Sequence, residues 1–291
     1  MTSVEVRPTG LGNLEDVVPP APKDQSLWKS FVVNVIGPFI VFVLFIGFWY
    51  FITYALLTPR RRFLMPPPHE VLDVAFLNWD NLSRTLEGLL NSTKVAMVGL
   101  AIAIVLGMLF AIVMSQAKWL ERSLFPYAVV LQTIPILALV PLIGFWFEFN
   151  FRSRVIVCVL IALFPIINNT LFGLLSADQG QHDLFTLHKS SRFTRLWRLQ
   201  LPGAMPAIFA GFRISAGLAV IGAIVGDFFF RQGEPGIGVL IDNYRARIES
   251  EKLFGAIILS SLLGVVVFWI FGIIGNRVVG AWHESGRKQT G

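Results

Sequence analysis

Four basic residues stand at three-residue steps near the middle of the chain: Lys189, Arg192, Arg195 and Arg198, with Phe185, Phe193, Leu196 and Trp197 among them. Residues three and four apart share one side of a helix. Residues 178–206 (DQGQHDLFTLHKSSRFTRLWRLQLPGAMP) therefore read as one or two short amphipathic helices, ending at Leu201-Pro202 where the next helix begins. The chemistry such a segment offers is recognition rather than bond-making, and it requires a soluble partner to dock on it.

Two further charges, Arg213 and Asp227, interrupt an otherwise apolar run. A charge at the centre of a membrane helix costs about 2.5–3.5 kcal/mol, so such residues face protein or water. Fourteen positions separate them, roughly 21 Å along a helix, too far to pair within it. Each either lines a pathway or finds its own partner or interface. Gln132 and Thr133, near prolines in one apolar run, and Asn168 and Asn169, after Pro165 in another, complete the set of candidate pathway residues.

The motifs of covalent and metal chemistry are missing. The sequence contains no G-x-x-x-x-G-K-[ST] and no H-E-x-x-H, so it offers neither a phosphate-binding loop nor that zinc site. His182 and His188 are six apart, the wrong helical spacing for a shared metal, and the single cysteine, Cys158, excludes a disulfide within one chain. No catalytic residue, cofactor or metal site is expected.

The elements that must position these residues follow from composition. Of 291 residues, 55% are hydrophobic and 14% charged, with a mean hydropathy of +0.68. A soluble domain carries about a quarter charged residues, and here the deficit falls in long uncharged runs. A hydrocarbon core about 30 Å thick takes roughly 20 helical residues. Runs at 30–59, 95–117, 123–147, 155–177, 204–230 and 253–276 each suffice, which predicts an all-α membrane protein with six transmembrane helices. The net charge of +6 does not signal nucleic acid. The basic residues cluster at the ends of apolar runs, where they meet lipid head groups.

Residues 1–27 mix proline, glycine and both charge signs and read as a flexible tail. The first membrane helix occupies 28–60 and is stopped by Arg60, Arg61 and Arg62. An interfacial segment follows at 61–94, where three prolines precede leucines at helical spacing. The run 123–147 contains Pro126, Pro135 and Pro141 and is expected to be bent and to face protein. Gly222 and Gly226, extended by Gly211, Ser215 and Gly217, let a second helix approach closely. A turn at the Gly-Pro-Gly cluster precedes a short surface helix before the last span. Basic residues divide almost evenly between the two sides, so the positive-inside rule leaves orientation open.

At the central segment, and well beyond it, the sequence resembles the inner-membrane permeases of bacterial ATP-binding-cassette importers of the nitrate/sulfonate/taurine type. The family's loop runs from an acidic residue and two alanines, through a glycine, to a closing Leu-Pro. Here Leu199-Gln200-Leu201-Pro202 supplies the close, followed by residues 203–213 (GAMPAIFAGFR), Asp183-Leu184-Phe185 stands for the opening triplet, and Lys189 for the glycine. Residues 64–72 (LMPPPHEVL), 131–146 (LQTIPILALVPLIGFW), 164–169 (FPIINN), 219–227 (AVIGAIVGD) and 236–241 (GIGVLI) carry the likeness further. The resemblance implies the type I importer fold, a five-helix core within residues 95–282 plus an N-terminal helix. It also implies cytoplasmic termini (tails 1–27 and 283–291), a periplasmic-side segment at 61–94, and location in the bacterial inner membrane.

The same resemblance implies that residues 178–203 form coupling helices seated in a groove of a separate, cytoplasmic ATPase dimer. Asp183, Leu184, Phe185, Leu187, Lys189, Arg192, Phe193, Arg195, Leu201 and Pro202 are the residues that carry over. Phe185, Leu187 and Phe193 suit an apolar groove, and Arg192 and Arg195 an acidic rim. The chain itself is then a transport subunit, not an enzyme. Its further implied partners are a second permease copy (identical, or a paralogue in a heterodimer), an extracytoplasmic solute-binding protein and membrane lipids. If the family's glycine has a positive φ, lysine at 189 costs about 1–2 kcal/mol. The implied solute is small: a sulfonate, nitrate, or a pyrimidine or flavin-type precursor. An ion-gradient-driven secondary transporter is the alternative from another class, for which internal repeats and intramembrane ion ligands are expected.

Overall fold

The computed structural model describes residues 36–280, which are helical almost throughout. The tails predicted at 1–27 and 283–291, and the start of the first span, lie outside the described residues. The described residues fall into two units, one ending at Phe48 and one beginning at Trp49. Of the first unit the described residues belong to α1, Gly37–Phe51, and are apolar and mostly exposed. A wider helical turn, Ile52–Leu56, continues α1. The end of this helix is tied down inside the second unit. Trp49 donates its indole N–H to Pro66 O at 3.0 Å and lies 5.2 Å from the Phe254 ring, and the buried Thr53 hydroxyl donates to Met65 O.

The expected interfacial segment is only partly separate. A 3-10 turn at Pro59–Leu64, a short α2 at Pro68–Val71 and a wide turn at Leu72–Leu77 lead to α3, Trp79–Ser115. This helix is 37 residues long and passes the expected boundary at 94 without a break. Asn78 caps it by accepting the Asn81 N–H at 3.2 Å. The polar stretch 80–94 is thus the first half of a membrane-crossing helix, and it carries Ser92 into the core.

The run with three prolines forms two helices, α4 at Lys118–Thr133 and α5 at Ile136–Phe147, meeting at 95°. Pro135 sits in the break, because a proline cannot donate the hydrogen bond that would continue the helix. The pair still traverses the bundle. Helix α6, Phe151–Leu175, runs alongside α3 in the same direction, with Gly99 against Cys158 and Gly107 against Ile166. The chain leaves α3 at one end and enters α6 at the other. Ala128 of α4 packs with Met114 and Leu171 near the first end, and Val140 and Ile143 of α5 pack with Val157 and Phe230 near the second. Counted this way, the helices long and apolar enough to cross a membrane give six spans among the described residues, one of them broken.

After α6 come α7 at Gln179–Leu187, α8 at Arg192–Arg195, a wide turn at Leu196–Gln200, and α9 at Leu201–Phe229. Helix α10, Ile237–Arg247, and α11, Ser250–Val279, complete the fold. The second amphipathic helix does not stop at Leu201-Pro202. Pro202 follows directly on the wide turn at Leu196–Gln200, and helix continues through both, from Arg192 to Phe229.

Helices α6 and α9 form the central, antiparallel pair. Gly173 faces Ala204, Gly211 faces Asn169 and the Pro165 carbonyl, and Ser215 donates to Ala162 O at 2.7 Å. A β-carbon on Gly222 would lie 2.8 Å from Cys158 Cα, closer than van der Waals contact allows. Gly222→Ala is expected to cost about 1–3 kcal/mol through overpacking, read as a lower melting temperature in detergent. An unchanged melting temperature would show that the two helices are not in this contact. Helix α11 is the peripheral one, buried along a narrow stripe only.

Candidate functional site

The polar segment between α6 and α9 is a helical hairpin at one end of the bundle. Helix α7 closes in a left-handed turn. Lys189 has φ +49°, its N–H donates to Thr186 O at 2.9 Å, and Ser190 N–H reaches back to Phe185 O at 3.0 Å. That paired pattern normally recruits glycine at the left-handed position. Lys189 occupies the place where the resemblance expects glycine, so the turn keeps the form that favours glycine with lysine in it. Lys189→Gly is expected to stabilise the turn by about 1 kcal/mol. Hydrogen exchange at the Lys189 and Ser190 amides would slow about fivefold; unchanged exchange would mean the strain is relieved elsewhere.

Ser191 starts the next helix, accepting the Thr194 N–H at 3.2 Å and sharing a 2.9 Å hydroxyl contact with Thr194. Arg195 Nη2 donates to Thr186 Oγ1 at 2.9 Å and ties the two short helices together. The apolar residues of the hairpin point outward. Leu187 is 79% exposed, Phe193 70%, Leu184 58% and Trp197 58%, and the Phe193 and Trp197 rings lie 5.9 Å apart. Asp183, Lys189 and Arg192 are exposed around them; Phe185, Arg195, Leu201 and Pro202 are half-buried. Leu196 is the anchor, buried in the same core cluster as Leu174 and Ala204. A force on the hairpin therefore reaches α6 and α9 directly.

The six candidate pathway residues are not gathered at one point. Gln132 and Thr133 are exposed at the elbow of the broken span, with the Thr133 hydroxyl turned back to Val130 O. Asn168 is exposed on α6, whereas Asn169 is half-buried and donates to Pro165 O at 2.8 Å. Arg213 is exposed on α9, its guanidinium 4.0 Å above the Phe268 ring. Asp227, by contrast, is wholly buried at the end of the bundle away from the hairpin.

Asp227 belongs to a built polar cluster. Its carboxylate accepts from Ser92 Oγ at 2.5 Å and from the Gly238 N–H at 3.3 Å, and faces Arg154 Nη1 at 3.4 Å. The Ser92 oxygen in turn accepts the Ile237 N–H at 2.8 Å. Arg154, 3% exposed, spends its remaining donors on three carbonyls of the turn after α9: Phe230 at 2.7 Å, Gln232 at 3.1 Å and Glu234 at 2.9 Å. Gly236 and Gly238 have no side chain because a β-carbon at either would run into Asp227. The cluster joins α3, α6, α9 and α10. Asp227 stands out in the sequence whereas Ser92 and Arg154 do not: Arg154 lies in the first turn of α6 and Ser92 in a polar stretch, and polar residues are ordinary in both places. The one available signal was G-x-G at 236–238, beside an acid that has no neighbour in its own helix.

Outside the spans, Asp242 of α10 is bridged by Arg245 at 2.7 Å and by Arg231. The Arg245 hydrogen bond, then those from Arg231, hold its carboxyl below the usual carboxylate range.

Comparison with known proteins bears on the whole of this architecture. The family described as "Binding-protein-dependent transport system inner membrane component" matches residues 103–280. The formylaminopyrimidine transport permease protein of Halalkalibacterium halodurans is 32% identical over 210 residues, 72% of this chain and 82% of that protein. The nitrate import permease protein of Synechococcus elongatus is 28% identical over 275 residues, 89% of this chain and 96% of that one. The putative aliphatic sulfonates transport permease protein of Bacillus subtilis is 29% identical over 190 residues, 65% and 68% of the two chains.

Proposed function

The chain belongs to the binding-protein-dependent transport system inner membrane components, the permease subunits of ATP-binding-cassette importers, and from that premise we propose how this one works. The hairpin of α7 and α8 docks in a groove of a cytoplasmic ATPase, with Leu187 and Phe193 as its apolar anchors and Arg192 and Arg195 meeting acids at the rim. The observation that carries this is the combination of 70–79% exposure at Phe193 and Leu187 with the burial of Leu196, three residues after Phe193. A segment that hides its own apolar groups needs no partner. This one exposes them and roots itself in the core.

Docking places the hairpin end in the cytosol, and with six crossings both termini lie on that side. The Asp227 end then faces the extracytoplasmic binding protein. Closure of the ATPase pair pushes the hairpin, and Leu196 passes the movement to α6 and α9, exchanging inward-facing for outward-facing states. Two permease copies enclose the pathway, to which Gln132, Thr133 and Asn168 contribute exposed polar groups. The solute is small, of the kind named for these relatives: a pyrimidine, a sulfonate or nitrate. Selection among these rests with the binding protein.

Reconstitution of the permease with its ATPase and binding protein in vesicles tests the reading. Uptake should require ATP and the binding protein and survive collapse of ion gradients. Uptake that persists without ATP while an ion gradient stands would overturn it in favour of a secondary transporter.

A further inference from the structure

We propose that the groove around Arg213 binds the phosphate of an anionic phospholipid. The groove lies between α9 and peripheral α11, encloses about 200 Å³, and is lined by Pro206, Phe209, Arg213, Phe271, Gly272 and Asn276 among others. The Arg213 guanidinium lies across the Phe268 ring and against Gly272, where a β-carbon would come within 3.3 Å of Nε. Gly272 therefore opens the space the guanidinium occupies. Among the described residues no carboxylate or carbonyl takes a hydrogen bond from Arg213, so a cation in a membrane helix stands without a counter-ion.

Its depth identifies what supplies one. Helix α11 has 30 residues, about 45 Å, against a hydrocarbon core of about 30 Å, and so extends roughly 7 Å past each face when centred. Gly272 is seven residues before Val279, roughly 10 Å from the helix end, which puts it roughly 3 Å inside the hydrocarbon boundary. Helical side chains lean toward their own N-terminus. For antiparallel α9 that direction is outward, toward the end where Asn276 and Val279 line the groove. The guanidinium itself lies at Gly272 and the Phe268 ring, just inside that boundary, and the groove opens past Asn276 and Val279 to the level of lipid phosphate and ester groups. The flanking exposed surface is apolar, with Ile214, Ile270 and Ile273 all at least 46% exposed. A ligand must therefore be anionic at Arg213 and hydrocarbon beside it. A phospholipid phosphate meets both conditions and pairs strongly with arginine; a free phosphate meets only the first.

The proposal rests on the membrane-spanning fold and not on the importer reading. The test is native mass spectrometry of the full-length protein in detergent with added phosphatidylglycerol or phosphatidylcholine. The unaltered protein should retain phosphatidylglycerol preferentially. Arg213→Gln should lower that retention about fivefold, the worth of one basic residue near a membrane surface, while Arg213→Lys keeps part of it. Arg277→Gln, at an exposed arginine five residues past Gly272 that does not line the groove, should leave it unchanged, and millimolar inorganic phosphate should not compete. Equal retention by Arg213→Gln, equal loss in Arg277→Gln, or displacement by inorganic phosphate would each overturn the assignment. So would a shift of Arg213→Gln from dimer to monomer with lipid retention unchanged, which would give the groove to a second copy. Should Arg213→Gln not fold, Asn276→Leu serves, with reduced retention expected and unchanged retention overturning.

Discussion

Arg154→Ala lowers the stability of the membrane domain by about 3–5 kcal/mol, the expected effect of removing one partner from a buried ion pair. The substitution leaves the wholly buried Asp227 facing an empty site, and it strips hydrogen-bond donors from three carbonyls of the turn after α9. Little can compensate, because Gly236 and Gly238 already press their backbones against the carboxylate. The neutral Asp227→Asn is milder. It keeps one acceptor oxygen for Ser92 and for the Gly238 N–H, which share it, but turns an amide NH2 toward Arg154 in place of the second oxygen. The measurement is a melting curve of purified protein in detergent for both variants beside the unaltered chain. If Arg154→Ala melts no lower than Asp227→Asn, the cluster is not a structural tie, and a role for Asp227 in the pathway regains ground.

Phe193→Ala weakens ATPase binding by about 2 kcal/mol, roughly 30-fold, as expected for an aromatic anchor at the centre of an interface. Leu187→Glu has a larger effect, since it introduces a charge where the apolar groove must be desolvated. Both residues project from the hairpin and contribute little to its own packing, so neither change should move the melting temperature of the isolated permease. Binding of the ATPase to immobilised permease gives the affinity, and the melting curve supplies the control. Unchanged affinity in both variants would remove the docking role from this face. Lost affinity together with a lower melting temperature would mean the hairpin is structural.

The fold was largely readable before any coordinates. A bilayer imposes a length and a polarity on each crossing helix, and that demand is local, so uncharged runs of sufficient length announce themselves residue by residue. The hairpin was readable for a related reason: its basic and aromatic residues recur at helical spacing. Even the strain at Lys189 could be posed in advance as a question about one dihedral angle, and the structure answers it with φ +49°.

What the tertiary structure decided was everything that depends on residues meeting across the bundle. Asp227 could be read from its sequence as a pathway acid or as a residue with its own partner, because its own helix holds none; Ser92 lies 135 positions away and Gly238 eleven, and both reach it. The boundary at 94 seemed a break because polarity changes there, but a helix needs only unbroken backbone bonding, and α3 has it. The three prolines foretold a bend without its angle, since where a proline breaks a helix depends on what packs on either side. Local chemistry sets which segments cross the membrane. Only three-dimensional contact tells a buried tie, as at Asp227, from an unpaired charge, as at Arg213, because the two differ in their neighbours and not in their own sequence.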